Sequence, residues 1–110
     1  MKIDYKDGKV TWHLLDAIDF SKGEPSSDTK GYLSEDLLQV EYEKCLIDLG
    51  WYGGSKGHFT IMVILPEKNS EYSPECWDDP YVLLPCKDST DMFIQLQRAI
   101  DIYPEMLRKE

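Results

Sequence analysis

Residues 37–65 read LLQVEYEKCLIDLGWYGGSKGHFTIMVIL, and the way they pair decides the fold. Leu38, Val40 and Tyr42 alternate with Gln39 and Glu41; Cys45, Ile47 and Leu49 alternate with Leu46 and Asp48. A period of two is the pattern of a strand with unlike faces. Closing a two-residue turn on Glu43 and Lys44 sets Tyr42 opposite Cys45, Val40 opposite Ile47, and Leu38 opposite Leu49. Directly opposed residues of an antiparallel pair point the same way, so these side chains share one apolar face. Gln39, Glu41 and Asp48 lie on the other face with Leu46. Glu-Lys is poor chemistry for a type I′ turn, which leaves a longer loop with a shifted register open. The run Gly53-Gly54-Ser55-Lys56-Gly57 makes a second turn. In the strand that follows, Phe59, Ile61, Val63 and Leu65 alternate with Thr60, Met62 and Ile64. Both faces are apolar, which marks a central strand covered on both sides or nearly so. Pro66 ends it.

Working outward, residues 1–5 and 9–15 flank Lys6-Asp7-Gly8, a hairpin signal. Val10, Trp12 and Leu14 alternate with Thr11 and His13 as in a half-buried strand. Residues 11–18 also read as a short helix with Leu14, Leu15 and Ile18 on one face; the strand reading is preferred. Residues 21–31, SKGEPSSDTKG, have loop composition and are expected to be mobile. Residues 67–80, EKNSEYSPECWDDP, read as an acidic loop, and residues 81–84 as a short strand closed by Pro85. The clearest helix follows. Asp88 or Ser89 suits its N-cap and Asp91 its first turn. Met92, Phe93, Leu96, Ala99, Ile100 and Tyr103 form a stripe wide enough to lie on a sheet. Pro104 is expected to end or kink the helix near Tyr103, and Met106 and Leu107 leave one more turn open. The expected architecture is α+β, a single domain over residues 1–110: an antiparallel β-meander of about four to six strands with the C-terminal helix packed on one face.

Composition bounds the function. Residues of apolar type make up 42% of the 110, enough for one core without metal or disulfide staples. The 21 acidic residues outweigh 12 lysines and arginines, for a net charge of −9. Such a surface repels phosphates and anionic lipid and attracts basic partners, so nucleic acid is not an expected ligand. Three cysteines, Cys45, Cys76 and Cys86, without regular spacing read as reduced thiols. The N-terminus carries no hydrophobic signal region, and no apolar run approaches the ~20 residues of a membrane span. A cytoplasmic protein, monomeric or weakly dimeric, is expected.

No reaction is written in the residues. His13 and His58 are far apart and not spaced with cysteines as zinc ligands. Cys76 lies among carboxylates, which disfavour its thiolate. Glu35 with Asp36, Glu41 with Glu43, and Asp78 with Asp79 fall on loops and on a polar strand side rather than in an evident cleft. The glycine run joins two strands and lacks the Gly-Lys-Ser/Thr that opens a phosphate-binding helix. No catalytic residue, metal site or cofactor is therefore expected. What stands out is a binding surface. Glu71, Tyr72, Glu75, Trp77, Asp78 and Asp79 combine charge with large aromatics, a hot-spot composition. Glu41, Glu43 and Asp48 make a second acidic patch. Trp77 packed under the loop as a pin is the competing reading.

The runs Leu38-Gln39-Val40-Glu41-Tyr42, Ile47-Asp48-Leu49-Gly50-Trp51-Tyr52, Gly57-x-Phe59 with Val63, and Trp77-Asp78-Asp79-Pro80 resemble a group of small bacterial proteins with a core of the form IDVGWYP…GxFxVxVI…WxxP. That group is similar to the immunity proteins of polymorphic and contact-dependent growth-inhibition toxin systems. The resemblance spans about residues 37–103, and the Ile47 to Tyr52 run is its most specific part. Gly53 stands where the pattern has proline, and the stretch before Trp77 is longer and more acidic. The resemblance implies a non-enzymatic inhibitor that binds a cognate toxin domain, often a basic nuclease, and implies no catalytic residue. A small enzyme using carboxylates near Trp51 and Asp48, or an accessory subunit of a larger assembly, are the alternatives.

Overall fold

In the computed structural model, which describes residues 2–27, 30–67 and 72–109, five strands follow one another through one antiparallel sheet in chain order. They are β1 (Lys9–His13), β2 (Leu38–Glu41), β3 (Leu46–Tyr52), β4 (His58–Ile64) and β5 (Val82–Pro85). A short helix α1 (Pro74–Asp78) interrupts the connection from β4 to β5, and α2 (Ser89–Arg108) closes the chain. The α+β architecture is as expected.

The β2–β3 register is the one that the alternation requires: Leu38 faces Leu49 and Val40 faces Ile47. The Tyr42 amide donates to the Cys45 carbonyl at 2.8 Å, closing the tight turn on Glu43 and Lys44. α2 lies across β3 and β4. Ile47, Leu49, Ile61 and Val63 meet Met92, Leu96, Ala99 and Ile100, all fully buried. Each large side chain buried there contributes roughly 1.5–3 kcal/mol. Asp88 caps α2 by accepting the Asp91 amide at 2.8 Å, and Asp91 accepts the Lys87 amide at 2.8 Å in return.

Several local expectations are corrected. The turn at Lys6-Asp7-Gly8 forms, with the Gly8 amide donating to the Tyr5 carbonyl at 3.0 Å, but residues 2–5 are not a strand. They dock on α2 instead: the Asp4 amide donates to Gln97 Oε1 at 2.9 Å, and Gln97 Nε2 donates to the Asp4 carbonyl at 3.0 Å. Ile3 and Tyr5 thereby reach the core, which an exposed hairpin arm would not. β1 pairs with β2 as an edge strand, and all five of its residues are exposed rather than half-buried. Its pairing is irregular between Val10 and Trp12. Residues 11–18 contain both expected forms in succession, a strand to His13 and then a 3₁₀ turn, Leu15–Ala17, that buries Leu15 and Ile18.

The expected loop is anchored near its start, at residues 24 and 25. The Glu24 carboxylate accepts the Ser89 hydroxyl at 2.8 Å and the Ser89 amide at 3.4 Å, and Pro25 is buried. Residues 74–78 are helical rather than loop; Ser73 at the N-cap and Pro74 in the first turn are the start signal. Pro104 does not end α2, which continues to Arg108 with Pro104 and Leu107 buried. An interior proline costs about 3 kcal/mol, and the burial of that last turn offsets it.

Gly50 marks a close approach. A side chain there would collide with the Glu35 carbonyl, because residues 34–37 run on beside β3: the Trp51 amide donates to the Ser34 carbonyl at 2.7 Å, and the Leu37 amide to the Leu49 carbonyl at 3.0 Å. Gly50→Ala is expected to lower stability by about 2–3 kcal/mol in chemical denaturation. Gly31→Ala, in open space, should change it by less than about 0.5 kcal/mol.

Candidate functional site

Glu41 and Glu43 lie at the end of the sheet where the β4–β5 connection starts and returns. β4 leaves it at Ile64, opposite Leu46, and β5 re-enters with Val82 opposite Val63. The connection between them therefore starts and returns beside the β2–β3 turn. Glu41 ends β2 and Glu43 lies in that turn, both exposed. Burial raises the Tyr72 phenol well above the ordinary tyrosine value, and Cys45, Glu41 and Cys76 lie close enough to raise it further. Tyr72 therefore lies near Cys45 and Glu41 at the hairpin end and near Cys76 of α1.

Glu75, Asp78 and Asp79 are exposed on and after α1, and Trp77 is half-buried beside them. The Glu75 carboxyl is held below its ordinary value by its own backbone amide and by the Ser73 hydroxyl. Glu71 lies outside the described residues. Of the nine expected contact residues, Glu41, Glu43, Glu75, Asp78 and Asp79 are exposed and Tyr72 and Trp77 half-buried.

Asp48 differs. The alternation of β3 put it on the polar face with Glu41, as part of an exposed patch. In the structure it is 1% exposed and offers no carboxylate to the surface as it stands. Its row crosses all five strands, Trp12–Gln39–Asp48–Met62–Leu83, on the face turned away from α2. At the centre of the sheet its short side chain lies below longer neighbours. Gln39 Nε2 donates to Asp48 Oδ1 at 3.3 Å, and Oδ2 has no partner. Burial pushes the Asp48 carboxyl up to about 7; the Gln39 hydrogen bond opposes the rise and the Asp36 charge adds to it. Tyr52, in turn, is pushed up to about 12 by burial and by Asp48, Glu35 and Asp36. Glu35 and Asp36 were legible only as a solvated carboxylate pair. Extending the β2–β3 register past Leu38 would have brought them beside Trp51 and Tyr52.

The cysteine thiols are unbridged, and burial pushes Cys45 and Cys86 up to about 11, away from nucleophilic use. A cavity of 590 Å³ lined by Glu24, Pro25, Lys30, Leu33 and Trp51 holds one carboxylate, which is engaged with Ser89. A second, of 380 Å³, is lined by Tyr5, His13, Asp16, Phe20 and Phe93; there Asp16 pairs with His13 at 3.4 Å. No helix among the described residues is long and apolar enough to cross a membrane. Compared with known proteins, the chain matches no family model, and neither a curated protein nor a solved structure is significantly similar to it.

A folded-state carboxyl above its unfolded value binds its proton more tightly when folded, so its contribution is fully present at low pH and lost as pH rises. For Asp48 the window runs from about 4 to about 7. Asp48→Asn should therefore stabilise the protein at pH ~8 by on the order of 2–4 kcal/mol and lose that advantage by pH ~4. Urea denaturation of both proteins across that range measures it; parallel pH profiles would contradict it.

Proposed function

We propose that the protein is a stoichiometric inhibitor of the immunity-protein kind: a cytoplasmic bacterial protein that binds a cognate toxin domain of basic surface, such as a nuclease, and blocks it. The observation that supports this reading is the position of Tyr72, half-buried and near both Glu41 at the hairpin end and Cys76 of α1, two stretches of chain that carry exposed carboxylates. An excess of 21 acidic over 12 basic residues speeds encounter with a basic partner, and surface carboxylates can take the place of the phosphates such a partner binds. In this reading Glu41, Glu43, Glu75, Asp78 and Asp79 pair with lysine and arginine of the toxin, and Tyr72 and Trp77 supply desolvated apolar contact. The resemblance of the Ile47 to Tyr52 run to immunity proteins points the same way.

The test is inspection of the neighbouring upstream reading frame for a large secreted protein with a variable C-terminal domain, followed by co-expression with that domain. The expected result is rescue of growth and a one-to-one complex; toxicity that persists with no complex would overturn the proposal. In that complex, raising ionic strength from roughly 0.05 M to roughly 0.5 M should slow association by about tenfold or more and change dissociation far less. Trp77→Ala should instead accelerate dissociation, by about tenfold or more. Stopped-flow and surface-binding kinetics separate the two effects.

A further inference from the structure

We infer that the cavity between the N-terminal segment and the 3₁₀ turn after β1 is a binding site for a small aromatic carboxylate, its ring system against Phe20 and Phe93 and its anionic end at Lys2, Tyr5 and His13. This is a small-molecule site, apart from the acidic surface of the preceding reading and not resting on it.

Both walls of the cavity are fixed by hydrogen bonds. Residues 2–5 make one wall. The Asp4 amide and carbonyl are both bonded to the Gln97 side chain, at 2.9 and 3.0 Å, and the Tyr42 hydroxyl donates to the Tyr5 carbonyl at 2.9 Å. The end of β1 and the turn make the other wall, where the Leu14 and Leu15 amides donate to the Leu37 carbonyl at 2.7 and 3.0 Å. A ligand therefore does not have to order its own site, which removes one of the larger costs of binding. The space between the walls is 380 Å³. That falls in the range of small-molecule sites. A cavity of about 150 Å³ holds benzene, so this one has room for roughly two rings.

The floor selects the body of the ligand. Leu15, Ile18 and Phe93 are buried there, and Phe20 is half-buried. The Phe20 ring meets Phe93 nearly edge-on at 5.1 Å and tilts against Phe59 at 6.1 Å. A further ring extends such an array in offset or edge-to-face geometry. A rigid planar body also loses less rotamer freedom there than a flexible chain of equal area.

The rim selects the charge. Lys2, Tyr5, His13 and Asp16 all border this one cavity, so a ligand seated in it has all four beside it. Asp16 supplies the carboxylate among them. Its side chain is 84% exposed and its Oδ2 is 3.4 Å from His13 Nε2, so its charge is turned to water and to the imidazole and is screened. The His13 side chain is 28% exposed and lies deeper. Burial, and then the charge of Asp16, raise the Tyr5 phenol above its ordinary value, so the phenol keeps its proton and remains a donor. An ammonium, a phenol and an imidazole against one carboxylate favour a bound anion, the reverse of the balance in the chain as a whole, where 21 acidic residues outweigh 12 basic ones. A ligand carboxylate gains charge-assisted hydrogen bonds from this rim, whereas a ligand ammonium would face Lys2.

The test titrates the full chain with naphthoate, and with naphthylmethanol and naphthylmethylammonium as its neutral and cationic counterparts, by proton–nitrogen correlation NMR. Naphthoate is expected to shift the amides of Tyr5, His13, Asp16 and Phe20 together, with a Kd of roughly 1 mM or tighter. The alcohol should bind about fivefold more weakly, and the ammonium more weakly still. Lys2→Met, at an exposed position, removes the charge and keeps the chain length. It should weaken naphthoate about fivefold and leave the alcohol unchanged, a pattern that loss of the fold would not give, and Lys2→Arg should retain naphthoate binding. Absence of shifts at these amides up to roughly 10 mM naphthoate would overturn the inference. So would equal affinity for acid and alcohol in both the wild type and Lys2→Met. Neither result bears on the toxin co-expression experiment, which decides the other reading separately.

Discussion

The structure depends on the pairing of β2 with β3. Because side chains alternate across a strand, a slip of one residue would turn every core residue of the hairpin outward. Leu38 against Leu49 and Val40 against Ile47 leave one arrangement that buries both sets beneath α2. β4 then inherits its register from β3, and β5 from β4. The same constraint sends Asp48 to the opposite face in the middle of the sheet. The hairpin therefore determines both where the core lies and where the buried Asp48 carboxylate, with its unpaired Oδ2, lies.

Much of this was legible because alternation and turn length are local properties. The closure on Glu43 and Lys44 and the stripe on α2 need only nearest neighbours in the chain. The parts that were misread depend on distant partners. Residues 2–5 have a good turn after them but no strand to pair with, and Gln97, some ninety residues on, claims their backbone. Pro104 carries a strong local stop signal that the burial of Leu107 overrides. Asp48 illustrates the limit most clearly: alternation gives the face of a residue, not the depth of that face. Depth comes from Gln39 and Met62 on the neighbouring strands and from the 34–37 segment beside β3.

Exposed and buried carboxylates behave differently in this fold. Exposed carboxylates such as Glu41 and Glu43 act over several ångströms through water, keep their hydration and cost little to maintain. A carboxylate such as Asp48 acts only on contact and lowers stability while it is charged.

The edges of the sheet carry a consequence of their own. A strand of another molecule approaching β5 meets Pro85, which has no amide hydrogen to give. One approaching β1 meets the break in pairing between Val10 and Trp12 and the charge of Lys9. Both margins are poor templates for continued strand addition, the route by which sheets grow into fibres. Trp12 and Leu83 can thus stay uncovered at the two margins of the sheet without inviting strand addition, because the borders themselves are flawed templates.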